Sequence, residues 1–315
     1  MIILAEIQAQ AELLVSNGIQ SSTRSTYSGP QKMFIQFCNQ FGLNPLPATD
    51  NALLLFITHL HKKSLSISTV KVYISSIITM HNMCGLVPPN QKNPRIRLAL
   101  RAIALKCPEP RQQSPVTFKV LLSMWQVIGN IPQFRCVKAA IALGFFGGLR
   151  GAEYLQSRFN KGPRLGQVSL GSGQSKTLTF QVTKSKTKPK GFSLTLSCSN
   201  HNICAVCCMQ DYLQHRPLSA DLSDSAPLFL YFDKELSKQK LCSIIKDLIN
   251  AIGLSPAKYS LHSLRSGVAT TAASCNFKDW ELKLLGGWES NTYNTYTRSN
   301  KHTTRTFARR LTRQK

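Results

Sequence analysis

The residues best suited to covalent chemistry lie in one stretch near the end of the chain. His262 and Arg265 are three residues apart, so a helix would place both on one face. Trp288 follows with a ring N–H that can donate a hydrogen bond, and Tyr293 and Tyr296 supply phenols. Cationic groups that hold a phosphate beside a phenol would allow that phenol to attack phosphorus. The stretch therefore predicts phosphate chemistry, provided that the rest of the chain supplies further ligands.

The balance of charge indicates a polyanionic partner. The 315 residues include 39 Lys and Arg against 14 Asp and Glu, which gives a net charge of +25. A polyphosphate backbone is the usual partner for such an excess, and an anionic membrane is the rival. No apolar run reaches the ~18 residues of a membrane span, and the start MIIL lacks the basic residues of a secretory signal. We predict a polyphosphate partner, no membrane and, from ten cysteines without an export signal, a reducing compartment.

Two domains are predicted, residues 1–108 and 109–315, because Pro108, Pro110 and the polar run RQQS form a linker-like break. The predicted helices of the first domain cover residues 21–41, 51–61, a segment that ends at 83, and 94–105. Asp50 is the predicted N-cap of the second helix, and Ser68 or Thr69 that of the third. Helices are also predicted over 114–130, 133–146 and 237–252 of the second domain.

The first domain is basic, with ten Lys and Arg against three acids in residues 1–108. One interpretation is a plain helical bundle with solvated basic side chains. The other is a helical clamp that lies against DNA phosphates. The candidate DNA-binding residues of this domain are Lys71, Arg95, Arg97 and Arg101.

A second candidate phosphate ligand follows the apolar segment Ala139–Leu149, which reads as a buried helix that ends at Arg150. Arginine can grip phosphate oxygens with two parallel hydrogen bonds. Glu153 lies three residues further on and could orient a neighbouring side chain of the same cluster. Taken alone, an arginine and a glutamate at this spacing more often form a surface salt bridge.

A β-hairpin is predicted between residues 176–183 and 192–197, where polar and apolar residues alternate. Four lysines crowd the connecting loop, namely Lys184, Lys186, Lys188 and Lys190. They could form a solvated basic loop. Alternatively, one of them reaches into a DNA groove and donates a proton to a departing oxygen.

A cluster of metal-ligand types follows the hairpin. Cys198, His201, Cys204 and Cys207 could form a zinc site, although they are tightly packed and no second knuckle pairs with them. Reduced thiols in a loop that leads into a helix are the favoured interpretation, and we predict no metal.

The order of these motifs resembles the tyrosine recombinases of the phage-integrase superfamily over residues 20–298. GLRGAEYL resembles the first-arginine box, SKT the catalytic-lysine position and LHSLRSG the second box, while GGWESNTYNTYTR is most similar to recombinases of Crypton and DIRS-type mobile elements. The resemblance implies a mainly α fold with a small β-hairpin or sheet. It also implies two domains, a helical core-binding domain, which SISTVKVYISSIITMHNMCGL resembles, and a mixed α/β catalytic domain.

The resemblance also implies a mechanism. Tyr296 would attack a scissile phosphodiester and form a 3′-phosphotyrosine, with no cofactor, metal or small-molecule substrate. Lys186 would protonate the leaving oxygen. The implied catalytic residues are Arg150, Lys186, His262, Arg265, Trp288 and Tyr296, with Glu153 in support. The family acts as a homotetramer on two sites of double-stranded DNA through a Holliday junction. Reduced cysteines and basic runs fit the nucleus if the host is a eukaryote, and otherwise the cytoplasm.

Several alternatives remain at the sequence level. Tyr296 lies eight residues after Trp288, a spacing of the mobile-element subgroup, whereas many family members place the nucleophile at nine. Tyr293 is the second candidate nucleophile, and Lys184 and Lys188 lie within one register slip of Lys186. The competing functions are a domesticated DNA-binding protein that no longer recombines and a type IB topoisomerase.

Overall fold

The computed structural model describes residues 2–106, 113–172, 176–216, 222–275 and 277–286. The chain divides into two compact units, Met1–Pro110 and Arg111–Lys315. Each unit has its own apolar core among the described residues. None of the described helices is both long and apolar enough to cross a membrane.

Helices are the regular elements of the first unit in its described part, and turns connect them. Its helices are α1 (Ile2–Asn17), α2 (Ser21–Gln40), α3 (Asp50–Lys62), α4 (Ile67–Met83) and α5 (Pro94–Lys106). Apolar side chains of α2, α3 and α4 meet in its core, where the rings of Phe34 and Phe56 lie 5.0 Å apart, edge to face. Ile96 and Ile103 add one face of α5 to this core, which leaves the opposite face of that helix in solvent.

The second unit combines helices with two small sheets. Its helices are α6 (Phe118–Ile128), α7 (Arg135–Phe146), α8 (Gly151–Tyr154), α9 (Ala205–Gln214), α10 (Lys238–Ala251), α11 (His262–Ser274) and α12 (Asp279–Gly286). Its strands are β1 (Val168–Gly171), β2 (Thr177–Val182), β3 (Phe192–Ser197), β4 (Leu230–Tyr231) and β5 (Lys234–Glu235). The prediction of a mainly helical chain with a small antiparallel sheet is confirmed.

The predicted hairpin supplies the strands β2 and β3 of a three-stranded antiparallel sheet in the order β1, β2, β3. Phe180 pairs with Leu194 and Val182 with Phe192, so residues 183–191 form the connecting loop that carries the four lysines. Strand β1 lies at the edge of the sheet and was not predicted. Most of its side chains are exposed, whereas those of β2 alternate between buried and more exposed positions. A strand without a buried face has little alternation of apolar and polar residues in its sequence.

Helix α7 is the centre of the second core, and most of its residues are buried. Helix α11 packs on α7. The segment that precedes α6 also lies close against α11. Val116 donates its backbone N–H to the carbonyl of Ser263 at 2.8 Å. A Cβ atom on Gly267 would overlap the carbonyl oxygen of Val116, so only glycine permits this approach. The start of α11 is thereby fixed against the core.

Candidate active site

The turn after α7 positions Arg150. Helix α7 ends at Phe146, and Gly148 adopts a φ of +55°, a left-handed conformation that favours glycine. The chain then re-enters a helix at α8, with Arg150 as its N-cap. The carboxylate of Glu153 accepts hydrogen bonds from the Arg150 backbone N–H at 2.7 Å and from Arg150 Nη1 at 2.8 Å.

The Arg150–Glu153 pair differs from an ordinary surface salt bridge because the acid is buried. The side chain of Glu153 is 3% exposed, whereas that of Arg150 is 30% exposed. The carboxylate therefore fixes one edge of the guanidinium, and part of the arginine still reaches solvent. Such an arrangement orients a cation toward an incoming anion.

The hairpin loop is tied to the same carboxylate. Ser185 is buried, and its hydroxyl donates a hydrogen bond to Glu153 Oε1 at 2.7 Å. Arg150 Nη1 lies 3.4 Å from the same hydroxyl. Sequence analysis did not single out Ser185 as a functional residue, although it is the first residue of the SKT motif.

The four loop lysines are not equivalent. Lys184 and Lys186 flank Ser185 and are exposed, as is Lys190. Lys188 is half-buried, with its ammonium 5.1 Å from the centre of the Phe192 ring, and its carbonyl accepts a hydrogen bond from the Ser185 N–H. Lys188 is thus engaged within the loop, whereas Lys184 and Lys186 lie beside the residue that contacts Glu153.

Helix α11 contributes the second arginine. Arg265 is buried, 2% exposed, and its Nη1 donates a hydrogen bond to the carbonyl of Gly148. Gly148 lies two residues before Arg150, so the second predicted arginine meets the turn that positions the first. Because a buried guanidinium cannot lose its charge, this end of the core is electropositive.

His262, the first residue of α11, lies beside both arginines and is exposed. Partial desolvation of the ring lowers the pKa of His262, and the positive charges of Arg265, Arg150 and Lys238 lower it further. The imidazole is therefore neutral near pH 7 and can accept or relay a proton. Lys238, the first residue of α10, was not predicted, since no local motif connects it to His262.

Arg150, Glu153, His262 and Arg265 therefore meet in one electropositive region, with Lys186 in the adjacent loop. Trp288, Tyr293 and Tyr296 lie outside the described residues, which end at Gly286 in α12. Their roles stay predictions.

The other predicted DNA-binding residues belong to the first unit. Lys71, Arg95, Arg97 and Arg101 are all exposed. Arg97 and Arg101 are four residues apart and therefore neighbours on the solvent side of α5, while Arg95 lies on another side of that helix. The structure is compatible with a solvated bundle and with a DNA-binding surface.

Similarity to known proteins was found only at the level of structure, since neither a protein-family model nor a curated protein sequence matches the chain. The XerH site-specific recombinase bound to palindromic difH substrate has a TM-score of 0.65 at 18% identity, over 90% of this chain and 78% of that chain. The Tn1549 transposon integrase in complex with transposon right end DNA has a TM-score of 0.61 at 14% identity, over 93% and 95%.

A lambda integrase dimer bound to a COC′ core site gives a TM-score of 0.58 at 16% identity, over 92% of this chain and 93% of that chain. At these identities the comparison concerns backbone architecture. The mainly helical second unit with its small antiparallel sheet matches the catalytic domains of these proteins. The chain has the fold of the tyrosine recombinases.

Proposed function

We propose that the chain is a site-specific tyrosine recombinase that breaks and rejoins double-stranded DNA. One observation carries the proposal: Arg265 bonds to the turn that presents Arg150, so two guanidinium groups from distant helices converge. Two such cations suit the non-bridging oxygens of one phosphodiester. Structural likeness to recombinases and integrases bound to DNA supports this reading.

The reaction begins with attack of the Tyr296 phenolic oxygen on phosphorus. The new bond is a 3′-phosphotyrosine, and the bond from phosphorus to the 5′-oxygen breaks. Arg150 and Arg265 stabilise the charge on the non-bridging oxygens, and the Trp288 N–H adds a hydrogen bond. Rejoining reverses these steps when a partner's 5′-hydroxyl attacks the phosphotyrosine, so the energy of the phosphodiester is conserved.

Proton transfers accompany both steps. Lys186 donates a proton to the departing 5′-oxygen, and neutral His262 assists removal of the phenolic proton from Tyr296. The lowered pKa of His262 supports this role because a protonated imidazole could not accept a proton. No cofactor enters the scheme, because every group that moves a proton belongs to the chain.

The rest of the molecule supplies DNA binding in this proposal. Residues 1–108 act as the core-binding domain and residues 109–315 as the catalytic domain. The exposed Lys71, Arg95, Arg97, Arg101 and loop lysines would contact phosphates, and the net charge of +25 supports such contacts. By the sequence resemblance, the chain acts as a homotetramer on two sites, is encoded by a Crypton or DIRS-type mobile element, and works in the nucleus of a eukaryotic host.

The proposal is tested with a nicked suicide duplex that carries the terminal sequences of the encoding element. Wild type and the variants Tyr296→Phe and Tyr293→Phe are incubated with the duplex and resolved by denaturing electrophoresis. A protein–DNA adduct that survives SDS and disappears only in Tyr296→Phe is expected. Loss of the adduct in Tyr293→Phe alone would show that Tyr293, and not Tyr296, is the nucleophile. DNA binding without an adduct from any version would favour the alternative, a domesticated DNA-binding protein.

A further inference from the structure

Three cysteine sulfurs converge where β3 leads into α9. Cys198 follows β3 directly, Cys204 is the N-cap of α9, and Cys207 lies in the first turn of that helix. The Sγ atom of Cys198 is 3.4 Å from that of Cys207 and 3.6 Å from that of Cys204. All three sulfurs lie within 4.8 Å of one another.

These separations match a shared metal ion better than a disulfide. A disulfide requires a sulfur–sulfur distance of about 2.05 Å. Thiolates that bind Zn²⁺ at about 2.3 Å in a tetrahedron are about 3.8 Å apart. The distances from Cys198 Sγ to the other two sulfurs, 3.4 and 3.6 Å, fall just below that value, so the ion would need only small side-chain adjustments.

Two backbone N–H groups also point at the sulfurs. The N–H of Ser199 points to Cys204 Sγ and that of Asn200 to Cys198 Sγ, both at 3.4 Å. These two N–H groups and the three sulfurs face one another across the short turn between β3 and α9. A cation placed among the three sulfurs would neutralise their mutual repulsion.

We infer that Cys198, Cys204 and Cys207 bind a zinc ion through three thiolates. Zinc is the metal of choice because soft thiolate ligands in a tetrahedral arrangement select it over harder divalent cations. His201, the fourth ligand type in the sequence motif, lies outside this group. Its Nδ1 accepts a hydrogen bond from the Ile203 N–H at 3.2 Å, and its ring lies edge to face with that of Phe118. The fourth corner of the tetrahedron is taken by solvent.

The role of the ion follows from the elements that it joins. Helix α9 packs on α7, which leads into the turn that carries Arg150, and β3 is one arm of the lysine hairpin. A zinc ion would tie the end of that arm to the start of α9. We therefore assign it a structural role that stabilises the folded second unit, since a ligand that binds only the folded state adds to its stability.

Metal content of the full chain tests the inference without reference to DNA cleavage. The protein is purified under reducing conditions without chelator, and zinc is measured by elemental mass spectrometry. We expect about one ion per chain in wild type, as for a single site, and near-complete loss in Cys198→Ser and Cys207→Ser. Cys208→Ala and Cys84→Ser are the matched controls, because their sulfurs lie outside the group. His201→Gln should also retain the ion.

A second measurement uses wild-type protein, so that its outcome does not depend on whether the cysteine variants fold. Wild type stripped of zinc is titrated with Co²⁺, and thiolate ligation should produce a charge-transfer band in the near ultraviolet together with recovery of the melting temperature. Metal-free wild type with no such band would overturn the inference. So would intact-mass analysis of freshly purified protein that finds Cys198 and Cys207 joined in a disulfide, two hydrogens lighter. Equal metal loss in His201→Gln would contradict the three-thiolate ligand set.

Discussion

Ser185 and Glu153 are joined by a hydrogen bond of 2.7 Å between two buried side chains that lie 32 residues apart. The same carboxylate oxygen accepts from Arg150 Nη1, so a single acid connects the hairpin loop with the turn after α7. Glu153 thereby sets the position of an arginine and of the loop in which Lys186 lies. The carboxylate positions both groups and does not itself touch the DNA in the proposed reaction.

Removal of the Ser185 hydroxyl should loosen this connection. We expect Ser185→Ala to cost about 1 kcal/mol of unfolding free energy, because Glu153 loses one buried donor. It should also slow formation of the covalent adduct. Urea unfolding and single-turnover cleavage would measure the two effects. Thr187→Ala is the matched control, since this exposed hydroxyl belongs to the same loop and lies 3.5 Å from the Ser185 hydroxyl, at the outer limit of a hydrogen bond. Equal effects in both variants would contradict a specific role for the bond between Ser185 and Glu153.

Neutralisation of Glu153 should be more severe. Glu153→Gln removes a buried negative charge that accepts bonds from Arg150 and Ser185, and we expect a loss of about 2–3 kcal/mol in urea unfolding. Glu235→Gln provides the comparison, because that acid pairs with Arg164 at 3.5 Å with both side chains about a quarter exposed. A loss below about 1 kcal/mol is expected there. A larger loss in Glu235→Gln would refute the ranking.

The lowered pKa of His262 predicts the direction in which the free energy of unfolding changes with pH. The folded chain binds a proton at His262 less readily than the unfolded chain, whose histidines titrate near pH 6.5. Acidification below about pH 6.5 should therefore lower the free energy of unfolding until the lowered pKa is passed. His262→Gln should remove this part of the slope. Proton NMR of the His262 ring gives the midpoint directly, and a midpoint at or above the ordinary value would be incompatible with this account.

A methyl group at Gly267 should disturb the start of α11. Its Cβ would overlap the Val116 carbonyl oxygen, a backbone atom that cannot rotate away, so Gly267→Ala should cost about 1–3 kcal/mol. Gly151→Ala is the control in the same unit, because its nearest neighbours are side-chain atoms of Leu261 and Lys238 at 3.3 and 3.4 Å. Thermal unfolding of both variants should show a substantial loss only for Gly267→Ala.

The exposed arginines of α5 predict how DNA affinity depends on salt concentration. If Arg97 and Arg101 contact phosphates, each alanine variant should reduce the slope of log affinity against log salt by about 0.9. Fluorescence anisotropy with the duplex that carries the element ends would measure this slope. Lys119→Ala removes the same charge from an exposed position on α6 that was not predicted to bind DNA. Identical slopes for all three variants would argue against phosphate contacts by α5.

Sequence periodicity was sufficient to predict most helices and the hairpin. It could not decide which of several neighbouring polar residues caps a helix. Thr49 caps α3 and Ser66 caps α4, whereas Asp50 and Ser68 or Thr69 had been predicted. The carboxylate of Asp50 instead accepts hydrogen bonds from Asn90 and Asn93, some 40 residues away. Adjacent polar residues have similar capping preferences, so the distant partner decides between them.

The candidate site shows the same contrast between what local motifs indicate and what contacts between distant elements decide. Local motifs pointed to Arg150, Glu153, His262 and Arg265, and the structure brings these four residues together. The burial of Glu153, its bond to Ser185 and the charge of Lys238 near His262 depend on contacts between distant elements. Strand β1 was missed for a related reason, since an exposed edge strand of four residues has little apolar pattern. Three cysteines within ten residues were visible, but only the turn of the chain brings their sulfurs together.

The bond between Arg265 and the Gly148 carbonyl spans 117 residues of sequence. No short fragment of the chain can therefore reproduce the paired cations, and a partly synthesised or partly unfolded polypeptide would carry the separate motifs without the assembled phosphate site. In the proposed reaction this makes competence all-or-none, because the capacity to break a strand would arise only together with the folded second unit that joins the two residues.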